Sequence, residues 1–206
     1  KYKLTVYDGR RGLVRHVMAR KGFATGEILC AIVTTDGKFD CAAELAQELA
    51  KRIPAVKSVS RIINDTKTPL WMGGDEYVLY GKGYITDELC GCRFEVSAKS
   101  FYQINPIQTE KLYNTAVEMA EITEKSRIVD AYCGIGTVGI IAAKKKNCTL
   151  VGFDISEDSV KNAEANAKLN GIERAEFLCA ADNSYVLKKD KTPDVLFVDP
   201  PRAGCD

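Results

Sequence analysis

The chain has 206 residues, 46% of them hydrophobic and 28% charged, which is enough to build one large or two small globular domains with a real core. No apolar stretch approaches the roughly 18 residues needed to cross a bilayer, and the opening residues do not read as a secretory signal, so neither a membrane span nor secretion is expected. A net charge of +1 does not by itself announce a nucleic-acid partner, so function has to be sought in local patterns.

The eight cysteines are irregularly spaced, none forms a Cys-x-x-Cys pair, and there is a single histidine. A zinc site is therefore not expected, and reduced thiols in a cytoplasmic protein are. Charge is concentrated at the start. Within residues 1–22, Lys1, Lys3, Arg10, Arg11, Arg15, Arg20 and Lys21 face Asp8 alone. That basic arm reads either as a phosphate-facing patch or as a solvated strand face.

Residues 1–95 read as a smaller mixed α+β domain. GLVRHVMAR and GEILCAIVTT are strand-like, the second closed by the Asp36-Gly37 turn signal. A helix is expected over 41–53, with Asp40 as N-cap, Leu45, Leu49 and Ile53 on one face, and Pro54 as the stop. VKSVSRII, EYVLYGKGYI and CRFEVS complete the set of strands.

Residues 96–206 alternate strand and helix. A helix with Asn105 as N-cap, Pro106 at its first position and Gln108 three residues after the cap opens the region. SRIVDAY is a strand, 138–146 a helix, and TLVGFDI a strand. Ser156 caps a further helix that Gly171 ends. AEFLCA is a strand, ADNSYVLKK a short helix, and DVLFVDP a fourth strand. This alternation predicts an α/β fold with a doubly wound parallel sheet.

Three features carry chemistry. Gly134, Gly136 and Gly139 stand in G-x-G-x-x-G spacing between a strand and a helix, the place where backbone passes close to a ligand. Asp154, ending the second strand of this half, suits ribose hydroxyls. Asp130, at the mouth of the loop, would repel a pyrophosphate and attract a sulfonium or an amine. Asp182, past the third strand, reads either as an acceptor for an adenine amino group or as a helix N-cap. Asp199 ends the fourth strand and runs into Pro200 and Pro201, which lack N–H donors and hold φ fixed; a rigidly presented acceptor suits a nucleobase N–H.

SFYQINPIQTEKLY, DAYCGIGTVGI, VGFDISEDSVKNAEANAKLNG and VDPPRAG, in this order, resemble the S-adenosylmethionine-dependent RNA uracil-C5 methyltransferases, the 5-methyluridine family acting on ribosomal and transfer RNA. RGLVRHVMARKGFATGEILCAIV is similar to the middle domain of the same family. The resemblance implies a Rossmann-like class I methyltransferase sheet, with S-adenosylmethionine held by Gln103, Tyr132, Gly134, Gly136, Thr137, Asp154, Asp182 and Asp199. Thr137 departs from a position that is often Asn. Phe101 and Asp199 are expected at the target base, where an Asp199 carboxylate accepting the uracil N3–H would select uracil over cytosine.

The family mechanism needs a cysteine that adds to C6 and a carboxylate that removes the C5 proton. By resemblance both lie beyond Asp206, and neither Cys133 nor Cys205 occupies the nucleophile's place, so no catalytic residue is expected in this chain. The chain is accordingly expected to be a fragment, inactive alone and prone to self-associate through the exposed edge of its fourth strand. The iron–sulfur cysteines of many family members are absent from it, which leaves any such cluster to the full-length protein. The resemblance implies methyl transfer to C5 of a uridine, with 23S ribosomal RNA expected ahead of transfer RNA. A nicotinamide-dependent oxidoreductase and a non-catalytic RNA-binding fragment are the alternatives.

Overall fold

The structure is a computed structural model and describes residues 2–66, 73–180, 192–202 and 204. The chain forms two compact units. One comprises Lys1–Asp87 with Val96–Lys99, the other Glu88–Glu95 with Ser100–Asp206. The sequence changes texture near residue 95, and the chain passes between the units at three points around it.

The first unit is built on a four-stranded sheet in the order β1 (Val14–Lys21), β2 (Ile28–Thr34), β3 (Val56–Ile63), β4 (Asp75–Gly81). The β1–β2 and β3–β4 pairs are antiparallel and β2–β3 is parallel. That parallel pair requires a crossover, which α1 (Ala42–Arg52) supplies. Ala42 and Ala46 of α1 are buried in one cluster with Cys30, Ile32, Val56 and Val59 of the sheet. Two expectations are corrected. Cys41, not Asp40, is the cap residue of α1 and makes no side-chain cap bond; the Phe39 carbonyl accepts the Ala42 N–H at 3.1 Å, and the exposed Asp40 carboxylate stands 3.0 Å from Lys38 Nζ. EYVLYGKGYI is not one strand; a turn at 82–83 divides it into β4 and β5 (Tyr84–Leu89). β5 and β6 (Cys92–Ser97) form a two-stranded sheet.

The second unit carries the parallel sheet. α2 (Pro106–Met119) precedes β7 (Arg127–Ala131), α3 (Thr137–Lys146), β8 (Thr149–Asp154), α4 (Glu157–Leu169), β9 (Ala175–Cys179) and β10 (Val195–Val198). The strand order is β10-β7-β8-β9, all pairs parallel. The first strand thus lies inside, with the second and third to one side and the fourth to the other. Strand order reverses between β7 and β10, which puts the binding crevice at the carboxyl ends of those strands. Among the described residues β10 pairs only with β7, and Leu196 and Val198 on it are exposed. The expected short helix ADNSYVLKK, residues 181–189, lies outside the described residues.

Helix starts and stops follow the local chemistry. Ser156 Oγ accepts the Ser159 N–H at 3.2 Å and caps α4, which closes with the Ile172 N–H on the Ala167 carbonyl around Gly171. Asn105 caps α2, its Oδ1 accepting the Gln108 N–H at 3.1 Å ahead of Pro106. Asn105→Ala removes that acceptor. The variant is expected to be about 1 kcal/mol less stable in urea unfolding followed by circular dichroism, while Asn105→Asp stays close to the parent. Equal stability of the alanine variant would show that the cap contributes nothing to α2.

Candidate active site

The site grows from the start of α3. Gly136 is the cap residue of this helix and lies in the left-handed region, φ +83°, which glycine adopts without strain. Having no side chain, it leaves the first turn without an acceptor of its own. Asp130, on β7, fills the role from outside: its Oδ2 accepts the Gly139 N–H at 2.9 Å. Gly139 in turn must be glycine. A Cβ there would stand 2.6 Å from Leu150 Cδ1 and 2.9 Å from Asp130 Oδ2, so its absence lets α3 close onto the sheet.

Asp154, at the end of β8, holds the other end of the loop. Its Oδ2 accepts the Gly134 N–H and its Oδ1 the Ser156 N–H, both at 2.9 Å. A carboxylate offers about four acceptor directions, so each oxygen keeps capacity for a ligand hydroxyl. The Cys133 N–H donates to the Phe153 carbonyl at 3.0 Å, which lays the loop along the end of β8.

The electrostatics have one sign. Asp130 is only 2% exposed, and burial pushes its carboxyl up to about 7; the Gly139 N–H opposes this, while Asp199 and Asp154 add to it. No lysine or arginine is among the groups that act on it, and the ion pairs among the described residues do not include Asp130, Asp154 or Asp199. Among the described residues no group of three or more His, Cys, Asp or Glu is placed to hold a metal ion. An uncompensated acidic rim favours an organic cation and disfavours a pyrophosphate.

The other residues named from the sequence differ in their surroundings. The side chains of Gln103 and Thr137 lie near enough to the hydroxyl of Tyr113, a buried residue of α2, to act on it. Burial pushes the Tyr113 hydroxyl up, the Thr137 and Gln103 side chains oppose that, and Asp199 and Asp130 add to it, which places Tyr113 within the field of the same carboxylates. No sequence signal singles out Tyr113: with Thr109 and Val117 it forms the buried stripe of α2 and reads as core. Tyr132 has a positive φ of 59° and packs on the Val129, Ala131, Val151 and Phe153 cluster. Asp199 follows β10 directly and is exposed, and Phe101 is 69% exposed. Asp182 lies outside the described residues. Cys133 is buried, and burial, helped by Asp130 and Asp154, pushes its thiol far above the usual range, which leaves it protonated and a poor nucleophile. A cleft of about 580 Å³ between the end of α4 and β9, lined by Lys168, Gly171, Glu176 and Phe177 among others, contains none of these groups. The chemistry points to the glycine loop instead.

Because the Asp130 carboxyl is raised, the folded state holds its proton more tightly than the unfolded chain does. Its contribution to stability is complete below the ordinary carboxyl value and is lost as pH rises to about 7. Asp130→Asn retains an acceptor for Gly139 and does not titrate. The variant should gain on the parent between pH 5 and pH 8 by up to about 2–3 kcal/mol in urea unfolding. A difference that does not change with pH would contradict the raised carboxyl.

Comparison with known proteins gives a consistent picture. Residues 122–199 match the "Methyltransferase domain" family. An uncharacterized RNA methyltransferase of Caldanaerobacter subterraneus is 40% identical over 208 residues, 98% of this chain and 46% of the relative. One of Oceanobacillus iheyensis is 37% identical over 211 residues, 100% of this chain and 46% of its own length. The crystal structure of the Pyrococcus abyssi tRNA (uracil-54, C5)-methyltransferase in complex with S-adenosyl-L-homocysteine superposes with a TM-score of 0.76 at 29% identity, over 95% of this chain and 46% of that one. The chain spans about half the length of the relatives it matches. The nicotinamide-dependent oxidoreductase finds no support in these similarities or in the acidic loop. The second unit has the Rossmann-like methyltransferase fold, and over nearly its whole length the chain is similar to RNA methyltransferases.

Proposed function

We propose that this chain is the cofactor-binding part of an S-adenosylmethionine-dependent RNA methyltransferase that modifies C5 of a uridine. The observation that carries the reading is the acid-rimmed glycine loop, in which, among the described residues, Asp130, Asp154 and Asp199 form no ion pair beside a left-handed helix start. When bound, S-adenosylmethionine supplies an electrophilic methyl group. Its sulfonium and ammonium charges suit this rim, and its ribose hydroxyls suit the spare acceptor capacity of Asp154. Gln103 and Thr137 act on the hydroxyl of Tyr113, which also feels Asp130 and Asp199, and Asp199 is assigned as the carboxylate for a base N–H. Asp182 belongs to the proposal through the sequence resemblance alone.

Uracil-C5 as the target is supported by the order of sequence motifs and by the likeness to the Pyrococcus abyssi enzyme, which acts on tRNA. The motif resemblance favours ribosomal RNA for this chain. The nucleophilic cysteine and the base are assigned to the remainder of a longer protein. Incubating the full gene product with labelled S-adenosylmethionine and ribosomal or transfer RNA, then digesting to nucleosides, is expected to yield 5-methyluridine. Label in any other nucleoside would refute the uracil-C5 assignment.

Two further outcomes are expected. Asp154→Ala should weaken S-adenosylhomocysteine binding by about 1–3 kcal/mol in calorimetry, since it deletes a charged acceptor and frees the Gly134 N–H; unchanged affinity would remove Asp154 from the site. The basic arm is proposed to contact RNA. Arg15 is committed to the Asn64 carbonyl and the Tyr7 ring, whereas Arg10, Arg11 and Lys21 are exposed. Neutralising those three should make log K for RNA fall less steeply with log salt, by up to about one unit of slope for each phosphate that is no longer neutralised. An unchanged slope would leave them as ordinary surface charges.

A further inference from the structure

A polar pair buried on α4 lies outside the acidic rim and its ligand groups. Asn166 is fully buried and Asn170 nearly so, four residues apart on one face of the helix. A buried primary amide is costly unless its donors and acceptor are all engaged. Both are. Asn170 Oδ1 accepts the Arg93 N–H at 2.9 Å, and its Nδ2 donates to the Arg93 carbonyl at 2.7 Å and the Asn166 carbonyl at 2.8 Å. Asn166 Oδ1 accepts the Glu95 N–H at 2.7 Å, and its Nδ2 donates to the Glu95 carbonyl at 3.4 Å. The spacing explains the fit: four residues of helix rise about 6 Å, close to the span of two residues of strand, so consecutive amides on α4 meet alternate residues of β6. The two side chains serve as a substitute strand along the edge of β6.

Asn166 does one thing that Asn170 does not. Its Nδ2 also donates to the carbonyl of Ile135 at 3.1 Å, and Ile135 is the residue between Gly134 and Gly136. The α4 backbone comes close at the same point, since a Cβ on Gly136 would stand 3.3 Å from Ala163 Cβ. Asp154 and Asp130 hold N–H groups on either side of this carbonyl. Asn166 therefore holds the one group in the middle of the loop that a carboxylate cannot hold, an acceptor.

We infer that Asn166 is a positioning residue of the cofactor loop, holding the Ile135 carbonyl so that the Gly134 and Gly136 backbone faces the bound cofactor in one conformation. The inference rests on the proposal that this loop binds S-adenosylmethionine or its demethylated product. Asn170 is a matched internal control, equally bonded to β6 and almost as deeply buried but without contact to the loop.

Asn166→Asp keeps the acceptor for Glu95, removes both donors and sets a negative charge against the Glu95 and Ile135 carbonyls; Asn170→Asp does the same toward the Arg93 and Asn166 carbonyls, neither of which belongs to the loop. Measured by calorimetry with S-adenosylhomocysteine, Asn166→Asp should bind about tenfold or more weakly, while Asn170→Asp stays within about twofold of the parent at a comparable loss of Tm. Amide hydrogen exchange across 134–139 should accelerate in the first variant only. Equal losses of affinity in the two variants, or losses that simply follow Tm, would overturn the inference and make both residues structural staples. If Asn166→Asp does not fold, the parent protein still decides the matter: S-adenosylhomocysteine should shift the Asn166 side-chain amide resonance and not that of Asn170, and identical responses would overturn it. Should the parent bind no S-adenosylhomocysteine at all, the cofactor proposal fails, and hydrogen exchange on the variants alone tests whether Asn166 holds the loop.

Discussion

The hydrogen bond from the Gly139 N–H to the buried carboxylate of Asp130 is the constraint on which the second unit's chemistry depends. A helix start normally takes its acceptor from the cap residue's own side chain. Here that residue is Gly136, whose left-handed backbone leaves the front of α3 bare, and the acceptor comes from the neighbouring strand. The exchange has two consequences. The loop surface stays clear of side chains where a ligand has to approach. And the Asp130 carboxyl is sealed in the sheet with Asp154 and Asp199 acting on it, so that it holds its proton up to about pH 7 and, among the described residues, no cationic group offsets them.

Around that bond the loop is held by three elements. β8 grips the Gly134 N–H through Asp154, β7 grips the Gly139 N–H through Asp130, and α4 grips the Ile135 carbonyl through Asn166. Each fastening is a side chain from a regular element acting on backbone of the loop or of the helix start that follows it, and all three are present without a ligand. Pre-organisation of this kind lowers the ordering cost of binding, and the remaining selectivity comes from charge.

Much of this was legible in the sequence, because it is local. Asn105, Ser156 and Gly171 cap or end their helices within a few residues of where they stand, and the strand–helix alternation sets the parallel sheet. What was illegible depends on partners that linear patterns do not announce. Asp40 looks like a cap, but Cys41 is the cap residue and the Asp40 carboxylate stands beside Lys38, and EYVLYGKGYI looks continuous until the chain turns within it. Asp130 reads as a residue aimed at a ligand, whereas one of its oxygens is spent on an N–H nine residues away. Tyr113 is concealed by helical periodicity, and Asn166 and Asn170 sit in a stretch, NAEANAKLN, whose polarity suggests a wet helix face rather than two saturated buried amides. Which RNA the proposed methyltransferase would modify has no local signature, since shape recognition is spread over surfaces that a linear motif does not encode.

The central claim is that an acid-rimmed, pre-fastened loop selects a cationic nucleoside over a dinucleotide. Isothermal titration of the purified protein with S-adenosylmethionine and, separately, with NADH tests it most directly. The account predicts saturable binding of S-adenosylmethionine and weaker or undetectable binding of NADH at the same concentrations, with prior saturation by S-adenosylmethionine abolishing any NADH signal. Tighter binding of NADH would contradict it.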